Sequence, residues 1–193
     1  QVGYLVVVDN ILWYSVGMNR VIIAHGWDGT TRDLQLVWLR DRLIEKGYDV
    51  VFNDFPHTDK PTIDDWVPAL AKALGEIRND DILFGHSIGC QTVLRFLQTL
   101  SANRMVSKVI LLAPWLELDK AMIESEGPEV LAIAKPWIEI PLNWDVIRTK
   151  ATKFVAIFSD NDQYVPISNA EILRKELEIE ILVVHNRFHF DYQ

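Results

Sequence analysis

Cysteine is nearly absent from this 193-residue chain, with Cys90 its one example, so no internal disulfide and no cysteine-based metal site can form. The fold therefore needs no oxidising compartment, and a cytoplasmic setting is expected. Long apolar runs are missing too. The longest, residues 109–113 continuing past Pro114 into Trp115 and Leu116, has the length of a buried strand and falls well short of the ~20 residues that cross a bilayer. The apolar start at residues 2–8 lacks a basic flank and is broken by Asp9-Asn10, which argues against a secretory signal. Positive charge is scarce: 19 Lys and Arg stand against 27 Asp and Glu, a formal net charge of −8. That balance excludes non-specific binding to nucleic acid or to an anionic membrane, both of which require a basic surface. Five histidines on separate segments, without ligand spacing, imply no metal. There is no internal repeat, no low-complexity tract and no Gly-, Ser- or Pro-rich linker, so residues 1–193 are expected to form a single domain.

What is present is an alternation. Apolar, β-branched runs at 20–24, 48–53, 81–84, 108–113, 153–158 and 179–184 are separated by stretches of helical period, the pattern of a parallel sheet covered by helices on both faces. Helices are predicted over 33–46, stopped by Gly47; from Thr62, whose pairing with Asp65 resembles a capping box, to Leu74 before Gly75; from Ser87 to about Leu100; and from Pro166 to about Glu176. Ahead of them, residues 4–8 and 11–16 flank Asp9-Asn10 and predict an antiparallel hairpin. Residues 115–143 contain Pro128, Pro136 and Pro141 and break into short helical pieces.

Gly85-His86-Ser87-Ile88-Gly89 follows a predicted strand and opens a predicted helix. In that context Gly-x-Ser-x-Gly marks a sharp turn that exposes a serine hydroxyl, with glycines where side chains would strike the strand and helix. The plainer alternative is a glycine-rich turn whose serine only caps the helix. A serine at its ordinary pKa is a poor nucleophile and needs a histidine base oriented by an acid. Asp162, after the run at 153–158, and His189, after the run at 179–184, are the expected partners; Asp160 and His185 are their rivals on the same two loops. His86 is expected to point away from the nucleophile. The amide of Ile88 and that of Trp27, in the loop His25-Gly26-Trp27 after the run at 20–24, are the candidate oxyanion donors.

The succession of these segments, together with Asn53-Asp54-Phe55-Pro56 and Trp66, resembles the α/β-hydrolase superfamily over about Arg20 to Phe190. Within it the chain is similar to the small serine hydrolases typified by retinoblastoma-binding protein 9 and the bacterial YdeN proteins. The resemblance implies a three-layer α/β sandwich with a mostly parallel central sheet. It also implies a serine esterase acting on small ester, thioester or amide substrates through Ser87, Asp162 and His189 and an acyl-enzyme, with no cofactor. The family's small members begin near Arg20, so residues 1–17 are expected to add the hairpin. They also continue into a helix after the histidine, whereas this sequence ends four residues beyond it. Residues 115–143 occupy the place of a cap, and about thirty residues make a minimal one. Trp27, Trp115, Trp137 and His57 are candidates to line the site. The alternative function is a non-catalytic protein-binding module on the same scaffold.

Overall fold

The computed structural model of the chain describes residues 19–191. Six strands, β1 (Arg20–Ala24), β2 (Asp49–Phe52), β3 (Ile82–His86), β4 (Val106–Leu112), β5 (Ala151–Ser159) and β6 (Ile179–Val184), form one sheet in the order β2-β1-β3-β4-β5-β6. Every pairing is parallel. The connecting helices are α1 (Leu34–Glu45), α2 (Ile63–Leu74), α3 (Ile88–Leu97), α4 (Lys120–Ser125), α5 (Pro128–Glu139), α6 (Trp144–Ile147) and α7 (Ser168–Glu176). The hairpin expected before β1 lies outside the described residues. The chain moves from β1 outward to β2, then returns past β1 to β3. This reversal opens a crevice beyond the carboxyl ends of β1 and β3, where open parallel sheets bind ligands.

Local chemistry accounts for the boundaries. Thr62 Oγ1 accepts the Asp65 amide at 3.1 Å to start α2, and Gly75, at φ 63°, ends it. Trp66, Leu70 and Leu74, at helical spacing, bury one face of that helix on the core. All of α3 is buried, even Arg95. Its guanidinium donates through Nη2 to the carbonyls of Trp137 (2.8 Å) and Ile140 (2.7 Å), the open C-terminal end of α5. The segment between β4 and β5 is thereby tied to α3. Its other end is held by Asn169, fully buried at the start of α7: Oδ1 accepts the amides of Leu116 (2.7 Å) and Glu117 (3.0 Å), while Nδ2 donates to the carbonyls of Glu117 and Pro166 (both 2.9 Å). Gly127, at φ 102°, makes the corner between α4 and α5, and Pro128 opens α5 where its missing N–H is harmless.

The amino-terminal edge of the sheet is closed by charge. Asp81 is fully buried and accepts Arg20 Nε at 2.9 Å, Arg20 Nη2 at 2.7 Å and the Arg78 amide at 2.8 Å. Arg20 also donates to the carbonyls of Leu74 (2.9 Å) and Glu76 (2.9 Å), which binds the end of α2 to the starts of β1 and β3. Removing the guanidinium leaves a buried carboxylate without its bidentate partner. Arg20→Leu is therefore expected to lower the unfolding free energy by about 3 kcal/mol, measured by urea titration.

Candidate active site

The strand-to-helix turn takes the shape that its glycines allow. Ser87 sits at φ 54° and ψ −120°, a conformation that costs an ordinary residue about 1–3 kcal/mol and survives only where the surroundings enforce it. Here they do. The Ser87 amide donates to the Leu112 carbonyl (2.9 Å), and its carbonyl accepts the Cys90 amide (2.9 Å). A Cβ on Gly85 would stand 2.7 Å from the Cys90 backbone, and one on Gly89 would stand 2.3 Å from the Ala24 carbonyl oxygen. Helix α3 thus lies against β1 and β3 with room for hydrogen alone at both places.

Two further loops meet this turn. His189 Nε2 lies 2.9 Å from Ser87 Oγ, and His189 Nδ1 lies 2.8 Å from Asp162 Oδ2. The other Asp162 oxygen accepts the amides of Tyr164 (2.9 Å) and Val165 (3.0 Å), so both oxygens are engaged and the side chain is 2% exposed. With the carboxylate accepting from Nδ1–H, Nε2 carries a lone pair facing the serine hydroxyl. The rival pair, Asp160 and His185, bond to each other instead. Asp160 also accepts the Asn186 amide (2.8 Å), the foremost reason that its carboxyl is held below the usual range, with His185 next. His185 is 80% exposed, which places this pair on the outer rim, joining the ends of β5 and β6. Ser159 Oγ and Asn161 Oδ1 accept the Arg187 and Phe188 amides (both 2.9 Å) and complete the lacing of the histidine loop.

The loop after β1 is equally fixed. His25, fully buried, donates from Nδ1 to the Gly26 carbonyl (2.9 Å) and accepts the Phe55 amide on Nε2 (3.0 Å). Burial lowers its pKa, which suits a neutral ring packed edge-on against Phe55 and Trp66. The dipeptide His25-Gly26 gives no local sign of this clasp, since Phe55 and Trp66 come from the segment after β2 and from α2. Among the described residues, no acceptor is bonded to the amides of Trp27 or Ile88.

A cavity of about 270 Å³ opens over Ser87 and His189, walled by Trp27, Trp115, Leu118 and Tyr164 among others. Tyr164 stands edge-on to the His189 ring at 5.4 Å. Its position two residues after Asp162 was the available signal. Trp137 and His57 do not line the cavity. Trp137 is 1% exposed, packs on Trp66 and donates Nε1 to the Pro61 carbonyl (3.1 Å); His57 occupies an exposed turn at φ 50°.

A family model described as serine hydrolase matches residues 21–193. The Bacillus subtilis protein YdeN is 23% identical over 171 residues, covering 89% of this chain and 85% of its own. Its crystal structure superposes with a TM-score of 0.79 over 90% of this chain and 88% of that one. A carboxylesterase of the thaumarchaeon Nitrososphaera gargenis (15% identity, TM-score 0.69, covering 90% and 84%) is similar in fold. So is Est1E of Butyrivibrio proteoclasticus, solved with ferulic acid (16%, 0.67, 90% and 82%). At these identities the structures speak for the fold, that of the α/β-hydrolases. The matched family model, spanning all six strands and the turn that carries Ser87, makes the chain a member of the serine hydrolase family.

Proposed function

We propose that the protein is a carboxylesterase-type hydrolase in which Ser87 is the nucleophile, His189 the general base and Asp162 the residue that orients and balances the imidazole. The observation that carries this reading is the unbroken chain Ser87 Oγ to His189 Nε2 to Asp162, at 2.9 and 2.8 Å, on a backbone held in a strained turn. In the reaction Ser87 Oγ attacks the acyl carbonyl as His189 takes its proton. The imidazolium passes that proton to the leaving group, and an acyl-serine remains. Water, deprotonated by the same histidine, then attacks the acyl carbon and restores Ser87. Asp162 keeps the imidazole in this orientation throughout, because its second oxygen is held by two backbone amides. The Ile88 amide, at the first turn of α3, and the Trp27 amide are the donors we assign to the oxyanion. Each such donor contributes about 3–4 kcal/mol to transition-state stabilisation in comparable enzymes. The modest cavity and the short segment above it favour esters of small acyl groups.

His86 is a positioning residue in this scheme. Its Nε2–H donates to the carbonyl of His189 itself (3.0 Å), so it fixes the backbone that carries the base. Burial, and next the neighbouring His189, push its pKa down to about 3, and it stays neutral.

Three outcomes test these assignments. A fluorophosphonate probe is expected to label the folded wild type and not Ser87→Ala; labelling that persists in the variant would assign the nucleophile elsewhere. Asp162→Asn is expected to lower kcat for p-nitrophenyl acetate by about 10³–10⁴-fold, and Asp160→Asn by less than about tenfold. Unfolded His86 binds a proton below pH 6.5 whereas the folded residue resists until about 3, so acid draws the chain toward the unfolded state. Stability is expected to fall between those limits by up to about 1.4 kcal/mol per pH unit from this residue alone, and His86→Gln should flatten that slope in urea titrations.

A further inference from the structure

We propose that the cavity over Ser87 selects small esters or thioesters that carry a positive charge close to the scissile carbonyl. The inference rests on the reading of Ser87 as nucleophile and adds the substrate class. Three carboxylates, Asp28, Glu126 and Asp191, line the cavity, and no Lys or Arg does. They come from the loop after β1, the end of α4 and the chain beyond His189, so negative charge faces the opening from separate elements rather than from one acidic stretch. None of the three forms an ion pair among the described residues; the bonded partner of Glu126 is the Tyr164 hydroxyl at 3.4 Å. Lys60, on the loop that follows β2, is paired with Glu129 at 2.7 Å.

Their electrostatic situation is unfavourable without a cation. Burial, and next the repulsion of Asp59, raise the pKa of Asp28; burial raises that of Asp191, with Asp162 and Asp33 adding to it against His189. A ligand cation would relieve these repulsions, whereas a carboxylate or phosphate on the substrate would add to them with no Lys or Arg in the lining to offset it. The other walls suit the same ligand. Trp27, Trp115 and Tyr164 present aromatic surface, which attracts ammonium groups through the ring quadrupole. His86, which also lines the cavity and is 3% exposed, spends its Nε2–H on the His189 carbonyl and keeps its unprotonated Nδ1, beside Gly26, buried without a partner, so it brings no free donor to the cavity.

The test follows the rate of fluorophosphonate labelling of the purified protein in the presence of choline or of its uncharged carbon isostere, 3,3-dimethylbutan-1-ol. Choline is expected to halve the rate at a concentration about tenfold lower than the isostere needs, and the gap should narrow as salt is raised. In Asp28→Asn/Glu126→Gln/Asp191→Asn, compared as a ratio within that protein, the two curves are expected to coincide. Equal protection by both compounds in the wild type, or a gap that survives the triple substitution, would overturn the charge preference while leaving Ser87 as nucleophile. A folded wild type that takes up no label would overturn the nucleophile assignment and this inference with it.

Discussion

The closeness with which α3 is pressed against β1 and β3 governs most of the rest. At Gly89 the approach is such that a single methyl group would penetrate the Ala24 carbonyl, and at Gly85 it would meet the backbone of α3 itself. A chain that must turn from β3 into a helix so near can do so only by holding Ser87 at positive φ. That conformation lifts the serine out of both elements and leaves the first amides of α3 beside it. The stability cost of this strain is met by the surrounding core, since every residue of α3 and nearly all of β3 and β4 are buried.

Around that turn, each loop that reaches the site is laced before it arrives. Asp162 is oriented by two amides of its own loop, the His189 loop by Ser159, Asn161 and Asp160, and the loop after β1 by both nitrogens of His25. Such preorganisation is what a hydrolase needs, because donors and bases already in place do not have to be ordered as charge develops. The segment between β4 and β5 is fastened by the same means, through Arg95 at one end and Asn169 at the other. Its acidic residue Glu126 therefore overhangs the cavity from a fixed support.

The sheet was legible in the sequence because buried parallel strands read as apolar runs, and all six were found. Their ends were less so. Strands β4 and β5 begin at Val106 and Ala151, two residues before the apolar runs, because Ser107 and Thr152 look like loop residues although Val106 and Ala151 pair in register. Ser87, Asp162 and His189 each follow a strand end, so chain order alone singles them out, and the structure brings them within hydrogen-bond distance of one another. Asp162 is preferred to Asp160 on the same turn, and the structure pairs Asp162 with His189 and Asp160 with His185. Trp137, a candidate to line the site, lies in the core, as a large apolar side chain more often does. Glu126, Asp28 and the clasp of His25 depend on contacts between distant segments, and no local pattern announces them.

A nucleophilic Ser87 requires that its Oγ become acylated during turnover. Rapid acid quenching of a reaction with p-nitrophenyl acetate, followed by mass spectrometry of the digested protein, measures this directly. An acetyl group is expected on the peptide containing Ser87, formed together with a burst of about one p-nitrophenol per chain. Steady hydrolysis with no acetylated peptide, or an acetyl group that accumulates on another residue at the burst rate, would contradict it.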